Sequence, residues 1–107
     1  MAQSFVDAKL RPGKVTMFEK ASCPYCVQAK AILKKYKFKK DCLEIINIAN
    51  MSNMSSIQDY LFELTGASTV PRIFIEKESI GGCSDLIPLD SNGELEKRLI
   101  AIGVLEQ

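Results

Sequence analysis

The sequence predicts an α/β domain, a small mixed sheet of four strands with helices on both faces. Three observations carry that prediction. Apolar runs of strand length alternate with stretches whose apolar residues recur at helical spacing. A helical stretch separates the first two strands, which makes them parallel. The last two strands form a closing hairpin, which is antiparallel. The predicted order is α-β-α-β-α-β-β-α, and 107 residues suit one domain, 1–107.

Ser4 to Leu10 predicts a short helix with Phe5, Val6 and Leu10 apolar, broken by Arg11-Pro12-Gly13. Lys14 to Glu19 holds Val15, Met17 and Phe18 and reads as a strand, in which Glu19 is out of character. After Cys23, the residues Cys26, Ala29, Leu33 and Tyr36, with Ile32 alongside, form a helical stripe. Leu43 to Ile48 predicts a buried strand, Ala49 to Asn53 a loop, and Ser55 to Thr65 a helix with Gly66 as C-cap. Ser55 and Gln58 have the spacing of a capping box. Val70 to Ile75 predicts the third strand, Glu76 to Ser79 a turn, and Ile80 a short fourth strand ended by Gly81-Gly82. Ser91 and Glu94 predict another capping box, opening a last helix with Leu95, Leu99 and Ile102 before Gly103.

The formal net charge of +1 gives no strong field for nucleic acid or membrane. Six of the fourteen basic residues fall between Lys30 and Lys40, which reads as a solvated helix face rather than a docking patch. The N-terminus has no apolar core of a secretory signal, and no stretch is long enough to span a bilayer. The expectation is a reducing compartment, the cytoplasm, where a standing disulfide does not persist and a transient, catalytic one can.

The chemistry gathers at Cys23-Pro24-Tyr25-Cys26. Two cysteines two residues apart, between a strand and a helix, read as a redox dithiol. Pro24 suits the first helical position. Cys23 is then the N-cap, where a thiolate accepts from the N–H groups of Tyr25 and Cys26 and meets the positive end of the helix. Lys20 adds a cation. Cys26 lies further into the helix and is expected to be more buried. Half of a zinc site is the rival reading, but the chain has no His and no second CxxC, only Cys42 and Cys83 at irregular spacings. An inert buried pair is the other rival, and proline at a helix start argues against it.

Cys23-Pro24-Tyr25-Cys26, Thr69-Val70-Pro71 and Gly81-Gly82-Cys83-Ser84-Asp85 together resemble the dithiol glutaredoxins, which have the thioredoxin fold; the N-terminal helix, Ile57 to Leu61 and Leu64-Thr65-Gly66-Ala67 resemble the vertebrate cytosolic type. The likeness covers essentially the whole chain. It implies a glutathione-dependent thiol-disulfide oxidoreductase, with glutathione as reducing co-substrate, no metal required, and a monomer as the working unit. Its partners would be glutathionylated and disulfide-containing proteins. Lys20 and Gln58 would hold the glycine carboxylate of glutathione. Val70, in the Thr69-Val70-Pro71 segment, would pair with the cysteinyl part, and Tyr25 would line the groove. Pro71 would be cis. Ser84, with Cys83 beside it, would offer its N–H to the γ-glutamyl carboxylate, and Asp85 would take the amino group. Ser68, Val27 and Asn47 depart from residues common in the family. The rivals are a thioredoxin-like reductase and an iron–sulfur module built on Cys23 and glutathione.

Overall fold

The computed structural model describes residues 1–106. Its elements are α1 (Ala2–Lys9), β1 (Val15–Glu19), α2 (Pro24–Lys34), β2 (Leu43–Asn47), α3 (Met54–Thr65), β3 (Arg72–Ile75), β4 (Glu78–Gly81), α4 (Cys83–Ser91) and α5 (Glu94–Ala101). The sheet runs β2-β1-β3-β4. β1 pairs parallel with β2 and antiparallel with β3, and β3 pairs antiparallel with β4. The predicted mixed four-stranded sheet is therefore present.

β1 is buried at all five positions, as a central strand covered on both faces must be. Its side chains alternate between two cores. Val15 and Met17 join Cys26, Ala29 and Leu33 of α2, Leu86 of α4, and Leu95 and Leu99 of α5. Phe18 joins Val6 of α1 and Ile57 and Leu61 of α3 on the opposite face, where its ring meets Phe74 edge-to-face at 6.0 Å. Thr16 is fully buried and its hydroxyl donates to the Lys9 carbonyl at 3.0 Å.

Pairing register brings the three motifs to one edge of the sheet. Phe18, near the end of β1, faces Arg72, which opens β3. Ile73 faces Gly81, which closes β4. The segments after Glu19, before Arg72 and after Gly81 must therefore emerge side by side.

Four expectations are corrected. The sequence order lacked α4 (Cys83–Ser91). Pro88 is inside α4, on its exposed side, where it gives up the i→i−4 bond to Ser84 and crowds that carbonyl while Cys83 and Leu86 keep their place in the core. Neither predicted capping box forms. Ser55 lies inside α3, whose N-cap is Asn53, and Gln58 donates instead to the Ser68 carbonyl at 3.0 Å. Ser91 closes α4, and Gly93 caps α5 with Asn92 Oδ1 accepting from Glu94 N–H at 2.8 Å. The hairpin turn is Glu76-Lys77 alone, with Glu76 at φ 57°, so β4 begins at Glu78. Tyr36 lies beyond the end of α2, and its hydroxyl donates to Asp90 of α4, which Lys35 also meets at 2.7 Å. Gly66 is the left-handed C-cap of α3, as expected.

Phe18 is fully buried between β1, α1 and α3. Phe18→Ala is expected to cost about 3–5 kcal/mol of folding stability, read as a lower urea midpoint at unchanged slope.

Candidate active site

α2 begins where β1 ends, and the turn between them is held by the backbone. Cys23 N–H donates to the Lys20 carbonyl at 2.9 Å. Cys23 is the N-cap, with extended φ −81° and ψ 122°, Pro24 is the first helical residue, and Val27 N–H closes the first helical bond on the Cys23 carbonyl at 3.1 Å. The geometry is the one the sequence predicts. Pro24 supplies no N–H, so the sulfur meets those of Tyr25 and Cys26.

The two thiols are free and differ as the chemistry requires. Cys23 is half-buried and Cys26 is fully buried. Burial disfavours ionisation of Cys23. The backbone N–H and thiol of Cys26, the N–H of Tyr25 and the Lys20 charge together outweigh it, so Cys23 lies below its ordinary pKa. Cys26 is pushed up to about 11, first by burial, against which the Lys20 N–H works, and further by Cys23 and by the Glu19 carboxylate.

Cys23 Sγ lies 3.9 Å from the Val70 carbonyl oxygen, next to the cis Val70–Pro71 bond. Pro71 has no N–H, so no donor competes for the sulfur at that position. A groove of about 430 Å³ opens there, lined by Tyr25, Thr69, Val70, Pro71, Arg72, Gly82, Cys83 and Ser84. Tyr25 is 67% exposed, an aromatic face offered to solvent. A larger cleft of about 690 Å³, with Pro12, Glu76 and Arg98, lies at the other end of β3 and contains no thiol.

Six of the predicted site residues thus line one groove: Tyr25, Thr69, Val70, Pro71, Cys83 and Ser84. Cys23 borders it through Val70, and Lys20 acts on Cys23 by charge. Gln58 lies outside the lining and ties the 66–70 segment to α3 through Ser68. Asp85 is exposed, and its Oδ2 accepts from Gly82 N–H at 2.9 Å, so it caps α4. Cys83 is 4% exposed, and burial, then the neighbouring Cys23, push its thiol above the ordinary value. Cys42 is half-buried at the entry to β2 and packs on the larger core. Of the departures, Asn47 Oδ1 accepts from Ala49 N–H at 2.9 Å, and Val27 is exposed.

Arg72 and the reason for the glycine pair escaped the sequence reading. Arg72 Nε donates to the Pro71 carbonyl at 3.0 Å, and a Cβ on Gly82 would stand 2.6 Å from Arg72 Nη2 and 3.2 Å from the Pro71 oxygen. Gly81 has φ 100°, and its missing Cβ leaves room for the Asp85 carboxylate. An Arg directly after a strand-opening Pro is the signal that could have pointed to the first.

Residues 15–80 match the Glutaredoxin family. The chain belongs to the glutaredoxin family. Glutaredoxin-1 of Oryctolagus cuniculus is 53% identical over 106 residues, covering 99% of this chain and 100% of the relative. Glutaredoxin-1 of Homo sapiens is 52% identical, with the same coverage of each chain. Among solved structures, oxidised glutaredoxin 2 of Chlamydomonas reinhardtii superposes with a TM-score of 0.88 at 35% identity, covering 97% of this chain and 95% of its own. A buckwheat glutaredoxin–glutathione complex superposes at 0.89 and 26% identity, covering 99% and 94%. The fold is the thioredoxin fold of these glutaredoxins, and the activity is that of a glutathione-dependent thiol-disulfide oxidoreductase.

The depressed Cys23 has a direct readout. Its alkylation rate, followed in Cys26→Ser, is expected to rise with pH through a midpoint below the value of about 8.5 for a free thiol. Lys20→Gln is expected to move that midpoint upward.

Proposed function

We propose that this glutaredoxin removes glutathione from protein thiols and also reduces protein disulfides, with Cys23 as the attacking group. The observation that carries the reading is the Cys23 sulfur at the start of α2, beside Val70 on the edge of the groove. The Cys23 thiolate attacks the glutathione sulfur of a mixed disulfide. The protein thiolate leaves and takes up a proton, and Cys23 now carries glutathione. A second glutathione thiolate attacks that glutathione sulfur, releases glutathione disulfide and returns Cys23 as thiolate. With a protein disulfide, Cys26 closes on Cys23 instead, and two glutathiones restore the dithiol. A low pKa gives Cys23 its thiolate fraction and makes it a good leaving group in the second step.

Glutathione lies along the groove in this reading. Lys20 and Gln58 hold its glycine carboxylate; the Gln58 amide keeps a second N–H after bonding Ser68. The Thr69-Val70-Pro71 segment offers backbone to the cysteinyl part, and Tyr25 covers it. Asp85 and Leu86 N–H already bond to the Gly82 carbonyl, at 3.1 and 3.0 Å. Cys83 and Ser84 are left as the first donors of α4 for the γ-glutamyl carboxylate. Asp85 spends Oδ2 on the cap and keeps Oδ1 for the ammonium. Arg72 adds a cation on the same wall.

The cytoplasm is the proposed compartment, because a dithiol that must be returned to its reduced state needs a reducing pool. The proposed working unit is a monomer, since one chain supplies the whole groove, and the steps use thiols alone, without metal, membrane or nucleic acid.

The direct test is reduction of a glutathionylated peptide by purified protein and glutathione alone; a requirement for a separate reductase protein would overturn the reading. Cys23→Ser is expected to abolish turnover, while Cys26→Ser keeps deglutathionylation and loses protein-disulfide reduction. Asp85→Asn tests the pocket, because the amide retains an acceptor for Gly82 but loses the charge. Hydrogen bonds to charged groups are worth roughly 1.5–3 kcal/mol, with exposure favouring the low end, so the loss expected in kcat/KM on a glutathionylated peptide is about tenfold. A cysteamine-capped peptide, which has no γ-glutamyl group, should be reduced as before.

A further inference from the structure

The strand residue that looked out of character in the sequence is, among the described residues, the one buried carboxylate of the core. Glu19 is 5% exposed at the end of β1. It shares the sheet face of Val15 and Met17, which pack with Cys26 and Ala29 of α2. Its partner is Lys30, one helical turn beyond Cys26 on α2. Lys30 Nζ donates to Oε2 at 3.1 Å and stands 2.9 Å from Oε1, without the alignment of a hydrogen bond there, so Oε1 is buried and held by charge alone. The pair is unequal: the Lys30 side chain is 26% exposed and that of Glu19 6%. Water screens the ammonium more than the carboxylate, and the field reaching Cys26 is that of an anion.

We propose that the Glu19–Lys30 pair is a positioning element that keeps Cys26 protonated, and so steers the glutathionylated Cys23 toward resolution by a second glutathione rather than closure by Cys26. The inference rests on the reading of Cys23 as the attacking thiol. Closure is balanced without any further reagent. Cys26 gives its proton to solvent, and its thiolate attacks Cys23 Sγ. The Cys23–Cys26 disulfide forms as the bond to glutathione breaks, and glutathione leaves as thiolate and takes up a proton. An anion beside Cys26 lowers the fraction of the attacking thiolate. Resolution by glutathione draws its thiolate from solution and does not meet that obstacle.

The other ionisable groups around Cys26 do not replace this one. Cys23 on its own helix opposes ionisation only while it is a free thiol, since the glutathionylated sulfur carries no charge, and the Lys20 backbone N–H favours it. Cys83 of α4 lies in the same apolar core and is itself held protonated by burial. Asp90 of α4 is engaged with Lys35 and Tyr36 beyond the far end of α2.

The test is a single turnover. Reduced protein is mixed with glutathionylated peptide and no free glutathione, quenched with acid, and its dithiol, glutathionylated and internally oxidised forms are separated by mass. In wild type, closure is expected to accelerate with pH far into the alkaline range. In Glu19→Gln, closure should be faster at neutral pH and level off at lower pH. Each tenfold gain in thiolate is partly offset by weaker nucleophilicity, leaving roughly a threefold gain in rate. With glutathione added, a larger share of the variant should pass through the internal disulfide. Should Glu19→Gln not fold, Glu19→Gln/Lys30→Gln carries the same expectation, because the buried carboxylate outweighs the partly exposed ammonium. Superimposed profiles, slower closure, or a gain by one constant factor at every pH would overturn the inference while leaving Cys23 as the attacker. A protein that never accepts glutathione on Cys23 would overturn both.

Discussion

Burial of β1 on both faces governs the geometry of the site. A five-residue strand sealed between two helical layers cannot slide by one position without turning Val15 and Met17 into the core that receives Phe18. Its end is therefore fixed, and so is the start of α2 only a few residues later. Parallel pairing with β2 and antiparallel pairing with β3 make β1 the reference for both neighbours. Val70–Pro71 reaches Cys23 because Arg72 is registered against Phe18, and the α4 start arrives because Gly81 is registered against Ile73.

On that frame the two sulfurs experience opposite environments at a separation of three positions. Cys23 stands at the open end of α2, where backbone N–H groups converge without helical partners. Cys26 faces the sheet among Met17, Ala29 and Leu33. The same helix thus stabilises one anion and suppresses the other, and what differs is only which side of its first turn each thiol occupies. A buried carboxylate at the end of the adjoining strand deepens the difference, and Lys30 keeps that carboxylate from standing alone in an apolar core.

Local chemistry made much of this legible. The strands declare themselves by apolar runs, Pro24 and Cys23 by their fit to the first positions of a helix, and Gly66 by the left-handed cap it supplies. What escaped was set by tertiary contact. Pro88 speaks against a helix in isolation, but α4 survives because that position faces solvent while Cys83 and Leu86 are buried. Ser55 and Ser91 have cap spacing, yet α3 is capped at Asn53 and α5 at Gly93, two residues away in each case. Arg72 reads as a strand residue, and only the fold reveals its guanidinium over Gly82. Glu19 is visible as an anomaly in sequence, but the lysine that answers it is eleven positions away on another element.

Asp90 joins Lys35 and Tyr36, just past the end of α2, to the last turn of α4. The two walls of the groove are the opposite ends of these same helices: Cys23 begins one, and Cys83 and Ser84 begin the other. The Asp90 carboxylate thus fastens the two helices at the ends remote from the groove, as the hinge of a clothes-peg joins its arms. The open side of the groove carries the exposed Tyr25 ring, so a protein that comes to the groove from solvent meets that aromatic face.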